Sequence, residues 1–185
     1  LTHTSGFPNT PPDMSWNRWQ DWNFVVEAME RVKPLYEPGS VIAYHPRNFG
    51  WVIGELVRRI DGRPIRQFLQ EEITDPLGMS DTFMGLAADL EDRVSKVHAM
   101  EDCDQLDMPA TYNRPEVHQA VHPAGGVFAT ARNLCKFYAM LAAGGSLDGR
   151  QIFDSATVAE VTGLQVEGMD LTVGKQVKRT LGLVL

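Results

Sequence analysis

Tyr44, His45 and Asn48 sit close together just after the turn-forming run Glu37-Pro38-Gly39-Ser40. A phenol can take and return a proton, an imidazole can tune that transfer or touch a substrate, and a carboxamide can contact a substrate amide. Each also has a plainer reading. Tyr44 reads as a half-buried tyrosine after a turn, His45 as a packing or hydrogen-bonding residue, and Asn48 as the N-cap of the helix it opens. The other candidates are weaker. His98, His118 and His122 lie far apart with no His-x-x-x-His spacing, so no metal site is expected. Gly125-Gly126 lacks the Lys-Ser/Thr of a phosphate loop and reads as a close-packing point. Trp16, Trp19 and Trp22 are spaced by three and read as core or lid packing. Ser5 is in no Gly-x-Ser-x-Gly elbow, and no serine of the chain is followed three residues later by lysine.

The elements that must position these residues are mostly helical. Residues 1–14 hold Gly6, Pro8, Pro11 and Pro12 and read as loop. Trp22, Val25, Val26, Met29 and Val32 recur at helical spacing before Pro34. Phe49, Val52, Ile53, Leu56, Val57 and Ile60 predict one apolar helix face, closed by Asp61-Gly62. Pro64 opens the next helix, whose apolar face is Ile65, Phe68, Leu69 and Ile73. Residues 80–123 lack sustained periodicity and read as a long excursion that lines a site or hides short elements. Thr130 predicts an N-cap for a helix carrying Leu134, Phe137, Tyr138 and Leu141, ended by Gly144-Gly145. A short helix follows over 155–161, and 180–185 reads as a strand.

Composition narrows the function classes. The charge balance of −7 has no basic stripe, because Arg58-Arg59 and 175–179 read as solvated faces, so nucleic acid is excluded as a partner. Cys103 and Cys135 are too few for a disulfide framework or a CxxC site. No apolar run is long enough for a membrane span.

Several segments, in order, carry a resemblance. They are Leu1-Thr2-His3-Thr4-Ser5-Gly6; Pro38-Gly39-Ser40 followed by Tyr44; Gly50 through Gly62; Pro76-Leu77-Gly78-Met79-Ser80-Asp81-Thr82; Pro123-Ala124-Gly125-Gly126 through Phe137; and Leu181-Gly182-Leu183. Together they resemble the serine β-lactamase and penicillin-binding superfamily, in its class C β-lactamase-related esterase (family VIII carboxylesterase) branch. The implied fold is α+β and β-lactamase/transpeptidase-like. This chain would form mostly its helical region, with a C-terminal strand of an antiparallel sheet whose other strands lie elsewhere. The chain opens on Leu1 and stops inside an apolar run, so 1–185 reads as one partial domain truncated at both ends. The compartment is therefore left open.

The resemblance implies a serine hydrolase acting through an acyl-serine intermediate. Its nucleophile would come from a Ser-x-x-Lys motif and its oxyanion strand from Lys-Thr-Gly or His-x-Gly, and the chain contains neither pattern. The fragment alone is therefore expected to be inactive. Tyr44 would be the catalytic tyrosine, working with the lysine because a free phenol titrates near pH ~10. The lactamase pattern is Tyr-x-Asn, whereas this chain reads Tyr44-His45-Pro46. Proline offers no side-chain amide, which favours a small ester over a lactam and makes an esterase or transacylase the leading expectation. A β-lactamase or D,D-peptidase is the alternative, and a non-catalytic binding protein on the same fold is another. His45 and Asn48 would be substrate-binding candidates, the partner a small-molecule ester or amide, and no metal or organic cofactor is implied.

Overall fold

The computed structural model describes residues 1–100 and 108–184, so Cys103 and Leu185 lie outside the described residues. The helices form where local chemistry closes their ends. α1 (Trp22–Glu30) starts where the Asp21 carboxylate accepts the Phe24 N–H. α2 (Asn48–Asp61) ends at Gly62, whose φ of 89° lets its N–H return to the Arg58 carbonyl. α3 (Ile65–Leu69) follows Pro64 and widens into a π-turn over Gln70–Thr74. The long excursion contains β1 (Thr82–Met84), a 3-10 turn over Ala88–Arg93, α4 (Met108–Tyr112) and α5 (Pro115–Gln119). β2 (Val127–Ala129) pairs antiparallel with β1, Phe128 opposite Phe83. Thr130 caps α6 (Ala131–Ala142) through the Asn133 N–H, as its sequence predicts. β3 (Ser146–Leu147) and β4 (Arg150–Gln151) form a small hairpin before α7 (Ser155–Thr162).

Two apolar clusters hold these parts. Met14, Trp19, Val25, Ala28, Trp51, Val117 and Ala120 bind the N-terminal loop, α1, α2 and α5 into one core. Trp19 is thus a core residue, with Trp16 and Trp22 packed against it. Leu77, Met79 and Met140 centre the second, with Ile73 and Phe137 against them.

Two expected helix faces turn out differently. α2 buries Trp51, Gly54 and Glu55, while Val52, Leu56 and Ile60 of its apolar stripe are exposed. Close approach decides this. A Cβ on Gly54 would meet the Trp22 ring at 2.7 Å, and one on Gly50 would meet the Ala124 nitrogen at 2.4 Å. The glycines, with Trp51 and Glu55, mark the face against which neighbours pack. In α6 the expected face is split: Phe137 and Leu141 pack against the second cluster beside buried Met140, whereas Leu134 and Tyr138 are exposed.

The C-terminal strand also falls earlier than 180–185. β5 (Val166–Asp170) and β6 (Lys175–Arg179) form an antiparallel hairpin, with Gly168 opposite Val177. Residues 180–184 instead make a turn in which Thr180 and Leu183 bond each other, with Gly182 at φ 105°. Only Val184 bridges back, to Arg179. On the other side Ile42 bridges in parallel to Asp170, and this contact brings the hairpin to Tyr44.

Candidate active site

Tyr44 leaves the short extended segment just before α2, and three things hold it. Its backbone N–H donates to Asp170 Oδ1 at 3.1 Å. The His3 ring meets its ring edge-on at 4.8 Å between centroids. The Arg179 guanidinium lies 5.2 Å from the ring centroid on the other contact. Among the described residues no side chain hydrogen-bonds the Tyr44 hydroxyl, which leaves that group available to a reacting partner.

His3 belongs to the N-terminal loop and sits at φ 61°, a strained conformation for a bulky residue. The strain is held by pairing: the Ala43 N–H donates to the His3 carbonyl, and the His45 N–H donates to His3 Nδ1. Because Nδ1 accepts, the neutral ring carries its proton on Nε2. Burial first, and then the Arg179 charge, push this imidazole down to about 4. Near neutral pH the Tyr44 phenol therefore has a neutral imidazole on one contact and a cation on the other.

His45 and Asn48 face the N-terminal loop. His45 is buried, and its Nε2 accepts the Phe7 N–H at 2.9 Å with the Ser5 hydroxyl at 3.0 Å. Nε2 is thus already engaged by a backbone donor, which leaves Ser5 without a free base. Burial holds the His45 ring below its ordinary value, partly offset by the Ala43 carbonyl near Nδ1, an atom that reaches no full hydrogen bond. Asn48 is buried too. Its amide donates to the Phe7 and Asn9 carbonyls at 2.9 and 2.8 Å, and its oxygen accepts from the Thr10 hydroxyl at 3.1 Å. It makes no capping bond to α2, so the N-cap expectation is corrected: Arg47 holds that position, and the Asn48 carboxamide is spent on tying loop to helix. Pro46, between the two, is exposed.

Asp170 and Arg179 escaped the sequence reading. Asp170 is wholly buried and Arg179 nearly so, and they pair at 2.6 Å. Asp170 Oδ1 also accepts the Thr172 and Val173 N–H groups, which shapes the β5–β6 turn. Burial pushes the Asp170 carboxyl up, but Arg179 and the three N–H groups outweigh it and hold it below the usual carboxylate range. The available signal was period-two alternation. Val166, Gly168 and Asp170 share one strand face, as do Val177 and Arg179, so the run 175–179 was only half a solvated face.

His118 is fixed far from this group, between the Glu91 carboxylate and the Tyr112 carbonyl. His122 packs flat against Trp19. Among the described residues no three His, Cys, Asp or Glu side chains converge to hold a metal ion, and no helix is long and apolar enough to cross a membrane.

Known proteins share the fold of this chain. The Beta-lactamase family profile matches residues 1–185. A solved family VIII carboxylesterase superposes with a TM-score of 0.87 at 26% identity, over 100% of this chain and 53% of that one. A penicillin-binding protein homolog from Caulobacter crescentus gives 0.84 at 28% identity, over 99% of this chain and 53% of that one. Esterase/beta-lactamase LipL of Mycobacterium tuberculosis is 26% identical over 164 residues, 73% of this chain and 38% of LipL. The chain thus spans about half the length of the matched structures and less of the curated relative.

Proposed function

This chain belongs to the Beta-lactamase family, and from that premise we propose that the protein containing it is a serine hydrolase in which Tyr44 carries the proton. Its fold is the α+β fold of β-lactamases and penicillin-binding proteins. The observation that carries the reading is the Tyr44 phenol, its backbone pinned by Asp170 and its ring in contact with His3 and Arg179, with a hydroxyl unclaimed among the described residues.

The chemistry follows from that atom. The nucleophilic serine comes from a Ser-x-x-Lys segment, a pattern these 185 residues do not contain. As the serine oxygen attacks the acyl carbon, the Tyr44 oxygen, its own proton already passed to the lysine of that segment, takes the serine's proton and then hands it to the departing alcohol oxygen. In the second half-reaction the same oxygen takes a proton from water, or from an acceptor alcohol, as that attacks the acyl-serine. It returns the proton to the serine oxygen as the ester bond breaks.

The substrate class is a small ester. Pro46 stands where the lactamase pattern has a carboxamide, and the side chains of His45 and Asn48 near it are turned to the loop 5–10. A lactam or peptide amide would meet no side-chain amide at that position. The test is made on the full-length protein. A serine-reactive phosphonate is expected to label it covalently, and a short-chain nitrophenyl ester to turn over faster than a chromogenic cephalosporin. A folded protein that takes no phosphonate label would overturn the serine-hydrolase reading. Preferential cleavage of the cephalosporin would overturn the ester assignment alone, in favour of β-lactam hydrolysis.

A further inference from the structure

We propose that Arg179, held in place by Asp170, is a positioning residue that presents its positive charge to the Tyr44 ring; the proposal rests on Tyr44 being the proton carrier. Three observations carry it. The guanidinium carbon lies 5.2 Å from the ring centroid, within the range at which a cation and an aromatic face attract. The pair is deeply buried, Asp170 at 0% and Arg179 at 6% exposure, so the interaction is little screened by water. And the same carboxylate that fixes Arg179 through Oδ2 fixes the Tyr44 backbone through Oδ1. One side chain thus sets the distance between charge and ring.

Scaffolding alone accounts poorly for the charge. A buried ion pair returns little net stability, because desolvation offsets the attraction, and neutral groups of similar shape often serve as well. Moreover Arg179 Nε is buried without a hydrogen-bond partner among the described residues, so the guanidinium is not fully satisfied by its neighbours. The hairpin turn needs Asp170, whose oxygen accepts two of its N–H groups, but does not need a cation. The groups facing the Tyr44 ring and backbone are His3, Arg179 and Asp170, with His45 beside them. Both imidazoles are held below their ordinary values, so of the groups in contact with the Tyr44 ring Arg179 is the one that is positive near neutral pH. The negative charge that collects on the Tyr44 oxygen while its proton is on another group is attracted by this cation.

The test uses the full-length protein, with ester turnover and thermal unfolding measured on each variant. The double variant Asp170→Asn with Arg179→Gln keeps an acceptor for the Tyr44 N–H and a hydrogen bond between the two side chains, but removes the charge. It is expected to unfold cooperatively near the wild-type temperature, to keep KM within about twofold, and to lose kcat by about tenfold. Arg179→Lys, which keeps the charge, is expected to recover kcat to within about threefold. In a Tyr44→Phe background the double variant is expected to cost nothing further, because the charge acts through the phenol. Wild-type kcat in the folded double variant overturns the proposal, as does an undiminished loss in the Tyr44→Phe background. Should the double variant fail to fold, folded Arg179→Lys decides, since a kcat tenfold down there also overturns it. Wild-type activity in Tyr44→Phe itself is a different failure and removes the proton-carrier reading.

Discussion

The Tyr44 amide donates to Asp170 Oδ1 at 3.1 Å, although 126 positions of sequence separate the two residues. The bond ties the candidate proton carrier to the β5–β6 hairpin as well as to the segment that leads into α2. Ile42 strengthens the join, since it bridges to Asp170 and its carbonyl accepts the Leu171 N–H. The β5–β6 hairpin is therefore part of the site's frame.

Tyr44→Phe removes one oxygen and leaves the ring contacts with His3 and Arg179 intact. In the full-length protein kcat for an ester is expected to fall by about 10²–10⁴-fold, the range for a lost general acid–base group. KM is expected to change little and the melting temperature to stay put. A loss of stability with kcat preserved would make Tyr44 a packing residue.

Asn48 discriminates two structural roles. Were it an N-cap, Asn48→Asp would be neutral or better, since a carboxylate suits a helix N-terminus. Its amide instead donates to two carbonyls, which a carboxylate cannot do and would repel. Asn48→Asp is expected to be more destabilising than Asn48→Ala, which itself costs about 2–3 kcal/mol through two unpaired carbonyls. Chemical denaturation of the three proteins gives the order.

What could be read in the sequence was whatever depends on near neighbours. Thr130 and Gly62 end or begin helices through bonds that span three or four residues, and both stand where expected. What failed depends on distant partners. The Val52–Leu56–Ile60 stripe has the right period for a core face, but Trp22 and Ala124 pack against the glycines of the other side. The β5–β6 hairpin was hidden because its inner face holds Gly168, Asp170 and Arg179 in place of apolar residues. Tyr44 was legible from motif order; Asp170 and Arg179, which help hold it, were not, because they lie more than a hundred positions away.

Glu55 is buried in α2, where it accepts the Trp22 indole N–H at 2.8 Å and pairs with Arg58 and Arg59. The Arg58 hydrogen bond, working against burial and helped by Trp22 and Arg59, holds this carboxyl down at about 2. Its contribution is therefore complete above pH ~4.5 and lost as pH falls toward 2. Glu55→Ala is expected to cost about 1–3 kcal/mol near neutral pH, mainly by stranding the indole N–H. Glu55→Gln keeps an acceptor for Trp22, so it is expected to cost less and to flatten the stability curve below pH ~4.5. Equal costs for the two at pH 7 would mean that the indole bond is not the main term.

His122 supplies the other acid-sensitive point. Its ring stacks on Trp19 at 4.8 Å and meets Trp51 edge-on at 4.9 Å, and both nitrogens are buried without partners among the described residues. Burial, with a smaller push from Arg47, lowers this imidazole to about 4 from an ordinary 6.5. The folded state thus disfavours its protonation. The resulting stability is whole above pH ~6.5 and declines as pH falls toward 4, by about 3 kcal/mol once both states are protonated. His122→Phe keeps an aromatic ring against both tryptophans and removes the titration. It is expected to leave stability at pH 7 equal or higher and to flatten the decline between pH 6.5 and 4, with His3 and His45 supplying the slope that remains. Unfolding temperatures measured across that window decide the matter. An unchanged slope in His122→Phe would mean that the buried ring finds a proton partner in the folded protein.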